Sequence, residues 1–259
     1  MQQVSQLYED IVRKPHKFEV SVAIGQPGVL LTELSDKLLF GGMGILVGES
    51  SADGGYKMNM LRSLKTTRNL FADNKPGIGN AVASEIDIVM QRPLGEIERN
   101  SQLIPFVRAV DYDGNVSEWI QKGVFYLDTR SIDTDFYADD VINIHGYDGL
   151  LKAEKPYTDT PQTQSVKSVT QKITSQLGIG FSDDTMSLIN ANNYEVSIGT
   201  NFTCREVLGQ LSAMYGANVT TDYNGNFQFV PLMSMPSETN LLMTEDFYLL
   251  MIGGDRIYV

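Results

Sequence analysis

Apolar residues Val4, Leu7, Tyr8 and Ile11 recur at i, i+3, i+4 and i+7, which predicts a short helix with one inward face, stopped near Pro15. From Phe18 the period changes to two. Phe18, Val20, Val22 and Ile24 alternate with Glu19, Ser21 and Ala23 until Gly25-Gln26-Pro27-Gly28 breaks the run, the pattern of a half-buried strand and a turn. Further strands are expected at Tyr56 to Met60, Ser84 to Met90, Ile104 to Val110, Glu118 to Asp128 and Val141 to His145. Asp111-Tyr112-Asp113-Gly114-Asn115 supplies the positive φ of a tight hairpin, and Asp222-Tyr223-Asn224-Gly225-Asn226 is a near copy of it in the second half.

Helical spacing takes over in the middle of the chain. Ser165 caps a predicted helix with Val166, Val169, Ile173 and Leu177 inward and Gly178 at its end. A second helix carries a Thr203/Glu206 capping box, a Phe202/Val207 staple, an inward face of Val207, Leu208, Leu211 and Met214, and a closing Gly216. The proline- and threonine-rich stretch between Lys152 and Ser165 reads as a linker. Strands, then helices, then strands make an α+β order, mainly β, and not the alternation of a doubly wound sheet.

Composition narrows the function classes. The 259 residues are 42% hydrophobic and 20% charged, ordinary for a globular chain, and the formal net charge of −12 has the wrong sign for gripping nucleic acid by its phosphates. One cysteine, Cys204, excludes an internal disulfide and a CxxC zinc site. The N-terminus has no apolar core of a signal peptide, and no run reaches the roughly 18 apolar residues of a membrane span, so a soluble, unexported chain is expected.

Candidate chemistry is sparse. His16 and His145 have no partner nearby in sequence and read as structural. Cys204 opens the capped helix, where the dipole lowers a thiol pKa, but the staple beside it predicts packing. Asp111, Asp113 and Asn115 echo the start of a calcium loop, yet Val116 and Lys122 stand where such a loop needs Gly and Glu. Gly41-Gly42-Met43-Gly44 lacks the Lys-Ser/Thr of a phosphate loop. Glu96, Glu98, Asp133, Asp135, Asp139 and Asp140 read as a solvated acidic face, with no two placed across a cleft as a glycosidase requires. No catalytic residue, cofactor or metal ligand is assigned.

Three segments together resemble a known family. They are Arg62-Ser63-Leu64 with Asn69-Leu70-Phe71 and Gly77-Ile78-Gly79-Asn80-Ala81 leading into Ser84-Glu85-Ile86-Asp87-Ile88; Ser117-Glu118-Trp119-Ile120 through Phe125-Tyr126-Leu127-Asp128; and His145-Gly146-Tyr147-Asp148-Gly149 through Glu154, with the later helix at Thr203 to Gly216 and the strand Phe227 to Leu232. The chain resembles the N-terminal region of tail hub proteins (tail-tip, tail-associated or baseplate hub) of tailed phages and prophages of Gram-positive hosts. The resemblance implies a non-enzymatic virion structural protein, assembled in the host cytoplasm and placed at the tail tip. It implies an N-terminal helix over 1–15, a tube-like β-barrel over 16–152, an inserted α+β domain over 153–235, and at 236–259 the opening of a second barrel that this chain does not complete. A homotrimer is implied, joining the tail tube to a tip, spike or fibre, with distal tail, tail tube and tape measure proteins as partners and DNA passing through without specific binding. Asp133, Asp135, Asp139 and Asp140 are then candidate channel-facing acids. A distal tail protein, a carbohydrate- or receptor-binding β module using Trp119, and a cell-wall hydrolase are the alternatives.

Overall fold

The computed structural model describes residues 4–25, 39–40, 43–44, 55–72, 75–93, 97, 101–133, 141–159, 162–232, 242–243, 249–250 and 256–257. Helix α1, Gln6–Val12, starts where the Ser5 hydroxyl accepts from the Tyr8 amide. Ile11 is buried, whereas Leu7, expected inward, is 47% exposed. Two turns of helix meet strand β7, Gln102–Asp111, over too short a length to bury both.

The first half folds around one antiparallel sheet made of β1 (His16–Gly25), β4 (Tyr56–Lys57), β5 (Leu61–Thr67), β6 (Glu85–Gln91), β7 (Gln102–Asp111), β8 (Ile120–Gln121), β9 (Phe125–Asp133) and β10 (Val141–Asp148). Strands β2 (Leu39–Phe40) and β3 (Met43–Gly44) pair separately. The sheet order is β4-β1-β7-β9-β10-β6-β5, with β8 also on β7. β1 and β7 pair along their whole length, His16 opposite Asp111 and Gly25 opposite Gln102. The two strands at the ends of this path, β4 and β5, are consecutive in the chain and joined by residues 58–60.

Two strand expectations are corrected. The one at Tyr56 to Met60 stops at Lys57, where a turn closed by the Met60 amide on the Lys57 carbonyl redirects the chain into β5. The one at Glu118 to Asp128 is broken between β8 and β9 by Gly123, whose φ of 153° lies in the glycine region.

Alternation sends Ile86, Ile88 and Met90 of β6 and Ile142 and Ile144 of β10 to one face, where Val22, Leu103, Phe125 and Leu127 meet them. Each such side chain contributes about 1.5–3 kcal/mol by leaving water. A smaller cluster of Ala23, Ile104, Phe106, Val124 and Tyr126 lies apart from it, with Trp119 packed against it. The Arg108 guanidinium sits 4.3 Å from the Trp119 ring centre.

The second half runs β11 (Thr163–Ser165), α2 (Val166–Leu177), α3 (Asp183–Ala191), β12 (Glu195–Ser197), α4 (Cys204–Met214), β13 (Ala217–Thr221) and β14 (Phe227–Pro231). Helix α2 has the expected Ser165 cap, buried face and left-handed Gly178. Helix α4 has both bonds of its capping box, the Glu206 amide on the Thr203 hydroxyl at 3.1 Å and the Thr203 amide on the Glu206 carboxylate at 2.7 Å. Met214, expected inward, is exposed, because it is the last helical residue and Tyr215 beyond it takes the place against the core. The start of the stretch read as a linker is docked on the entry to α4, the Tyr157 amide donating to the Phe202 carbonyl at 2.8 Å and the Cys204 amide to the Lys155 carbonyl at 2.9 Å. Strands β15 (Leu242–Met243), β16 (Leu249–Leu250) and β17 (Arg256–Ile257) form a separate antiparallel ladder.

The halves are tied by buried polar groups. One Asp148 carboxylate oxygen accepts from the Ser84 amide at 3.0 Å and the Thr221 hydroxyl at 2.9 Å, and the other accepts from the Leu150 amide at 3.0 Å. Burial pushes the Asp148 pKa up, while these donors pull it the other way. Asn218 donates to the Leu70 and Gly77 carbonyls and accepts from the Asn80 amide, each at 2.9 Å. Gly79 and Gly209 pass so close that a Cβ on Gly209 would lie 2.6 Å from the Gly79 oxygen.

Candidate functional site: a cleft at the junction of the two halves

A strap formed by the last residue of β8, Gln121, and the link to β9 carries Lys122, Gly123 and Val124. Gln121 donates its side-chain amide to the Tyr223 carbonyl at 2.6 Å, which seats the 222–226 hairpin on the strap. Gly225, at φ 85°, fits because a Cβ there would meet the Val124 side chain at 2.9 Å. Arg68, just past β5, donates from Nη2 to the Lys122 carbonyl. Gly123 makes room for that contact, since a Cβ on it would come within 2.9 Å of the same Arg68 nitrogen.

The first turn of α3 lines the same cleft as this strap. Ser182 caps the helix by accepting from the Thr185 amide, and Asp183 and Asp184 follow it. Between the two walls is an open cleft of about 850 Å³, lined also by Thr66, Tyr223, Asn224 and Gln228. The strap-side wall is cationic, Arg68 and Lys122, and the helix-side wall is anionic, Asp183 and Asp184. Burial, and then the neighbouring Arg68 charge, pull the Lys122 pKa down. Asp222, at the cleft edge, is committed to its own turn, accepting from the Asn224 and Asn226 amides at 2.8 Å.

The residues singled out by sequence lie elsewhere. His145 Nδ1 stands 2.7 Å from Asp87 Oδ1 across neighbouring strands, beside a shallow hollow of about 250 Å³ with Thr129, Ser131 and Asn143. That partner is 58 residues away, which is why local spacing did not reveal it. His16 Nδ1 pairs with the Lys14 carbonyl, and its ring meets Phe18 edge-on. Cys204 is fully buried against Gln176, and burial raises its thiol pKa, overriding the helix start. The Asp111 carboxylate accepts from the Asp113 and Asn115 amides and the Asn115 side chain, a turn and not a calcium loop. Of the acidic run, Asp133 ends β9 opposite Val141, and Asp135, Asp139 and Asp140 lie outside the described residues, as do Glu96 and Glu98. Among the described residues no group of three or more His, Cys, Asp or Glu is placed to hold a metal, and no helix is long and apolar enough to cross a membrane.

No family model matches the chain, and no curated protein matches it in sequence. Solved structures do match in shape. The 43 kDa tail protein of prophage MuSo2 from Shewanella oneidensis aligns with 88% of this chain and 59% of its own, at 13% identity and a TM-score of 0.50. A tail protein from Neisseria meningitidis aligns with 86% of this chain and 56% of its own (11% identity, TM-score 0.47), and a prophage tail protein from Listeria monocytogenes with 75% and 52% (11%, 0.42). The chain spans about three fifths of the length of the Shewanella protein. At that identity the likeness is one of fold, which this chain shares with the Shewanella protein.

Proposed function

We propose that the chain is a structural, non-enzymatic component of a phage or prophage tail, placed at the tip as part of the hub that joins the tail tube to the tip or spike. The observation that carries this reading is the fold shared with the Shewanella prophage tail protein over 88% of the chain. The sheet path supports its finer part. Because β4 and β5, the two ends of the path, run into one another through residues 58–60, the segment 56–67 pairs with β1 through β4 and with β6 through β5, as the closing stave of a barrel does. One core cluster draws a residue from every strand of the path: Tyr56, Val22, Leu103, Phe125, Ile144, Ile88 and Leu64. In the proposed assembly this barrel over 16–152 stands in a trimeric ring, Asp133, Asp135, Asp139 and Asp140 face the channel, and a second barrel begins at 236–259.

The mass of the purified protein by light scattering, alone and mixed with the tail tube and distal tail proteins of the same genome, tests the reading. A trimer, or a ring formed only with those partners, is expected. A monomer that joins neither overturns the hub assignment. For the channel-facing acids, reversal of the four to lysine is expected to slow DNA ejection; unchanged ejection removes them from the channel.

A further inference from the structure

The cleft between strap and helix α3 has a hydrogen-bonding pattern that selects for ligand chemistry. Arg68 and Lys122 offer donors only, and ionised Asp183 and Asp184 offer acceptors only. Across the same space a small anion drawn to the first pair faces the carboxylates, and a small cation drawn to the second faces two positive charges. Among the described residues no carboxylate makes an ion pair with Arg68 or Lys122, so both remain available to the cleft. A hydroxyl group both donates and accepts, so a chain of hydroxyls satisfies the two walls at once without carrying charge. Asn224 and Gln228 add amide groups that also do both.

The site is built before any ligand arrives. Arg68 is held by the Lys122 carbonyl, the hairpin tip by Gln121, and the close approaches at Gly123 and Gly225 leave no slack in the strap. The cleft is open and mainly polar, with a volume of about 850 Å³, and it lies where the two halves pack together, a position that ligand sites favour. We propose that this cleft binds a neutral, hydroxyl-rich ligand, a short oligosaccharide, held by Arg68 and Lys122 on one side and Asp183 and Asp184 on the other. The proposal stands apart from the hub assignment, because it depends on the cleft alone.

Calorimetric titration of the full chain with chitotetraose and with maltotetraose tests it, with inorganic phosphate and spermidine as ionic competitors. Saturable binding of at least one oligosaccharide is expected, weakened about tenfold or more by Arg68→Ala and by Asp184→Asn, the size of one hydrogen bond to a charged group. Thermal unfolding of each variant, unchanged within a few degrees, separates this loss from misfolding, and Arg68→Lys is expected to recover part of the affinity. Binding of neither sugar overturns the proposal. So does binding that both variants keep in full, or displacement of the sugar by phosphate or spermidine.

Discussion

The hairpin tips at 111–115 and 222–226 are alike in their hydrogen bonds and opposite in setting. In each, the leading Asp accepts from the backbone amides two and four residues on, from the side chain of the closing Asn, and the glycine sits at φ 88° or 85°. The first tip projects into solvent, with Tyr112 83% exposed. The second is pressed onto the 121–124 strap and forms an edge of the cleft. The local conformation is written in five residues. What the turn does is decided by residues about a hundred positions away.

Substitutions at matched positions should affect the two tips unequally. The largest effect is expected from Gly225→Ala, which combines about 1–2 kcal/mol of left-handed strain with about 1–3 kcal/mol of overpacking against Val124. Gly114→Ala should carry only the strain, because nothing lies within 4 Å of its Cβ position. Equal losses in denaturant melts of the two variants would show that the second tip gains nothing from docking. Next come Asp222→Ala and Asp111→Ala, each expected to cost on the order of 1–2 kcal/mol by orphaning turn amides.

The acid side of the stability profile sharpens the contrast further. The Asn115 side chain and the turn amides hold the Asp111 carboxyl below its ordinary range, against a smaller desolvation effect. A lowered folded pKa contributes stability above the unfolded value that is lost as pH falls through the folded one. Asp111→Asn should therefore flatten part of the decline below about pH 4, and an unaltered acid limb in melts of that variant counts against the assignment. Gln121→Ala follows, at about 1 kcal/mol for the lost bond to the Tyr223 carbonyl, with the second tip loosened in amide exchange. The smallest effect, within about 0.5 kcal/mol, is expected for Tyr112→Ser.

How far the sequence can be read follows the same division between local and distant. Helix α4 was legible because Thr203, Glu206 and Gly216 are all helix punctuation within one short run. Strand β5 was not, because its half-buried residues, Leu61, Leu64 and Thr67, recur at a spacing of three where a strand shows two, the first gap holding a register shift between Leu61 and Ser63. Helix α3 carries only two buried residues, Thr185 and Ile189, too few for a periodic signal, although Ser182 followed by two acids is a fair cap. The cleft draws on residues near 66, 122, 183 and 224, four segments whose meeting no spacing rule encodes. Trp119, read as a sugar platform in one alternative, instead packs under Arg108.

Asp148, the last residue of β10, fastens three stretches at one carboxylate: the entry to β6 through Ser84, the turn after β10 through Leu150, and β13 through Thr221. Its place in the chain means that no cut near residue 155 yields two self-sufficient pieces. The downstream piece would lose the acceptor of its Thr221 hydroxyl and the segment 79–81 that covers the edge of β13, and the upstream piece would lose the Asn218 amide that holds Leu70 and Gly77. The two cores should therefore melt in one cooperative transition, and a load applied to either core is passed to the other through this junction instead of being absorbed by a hinge.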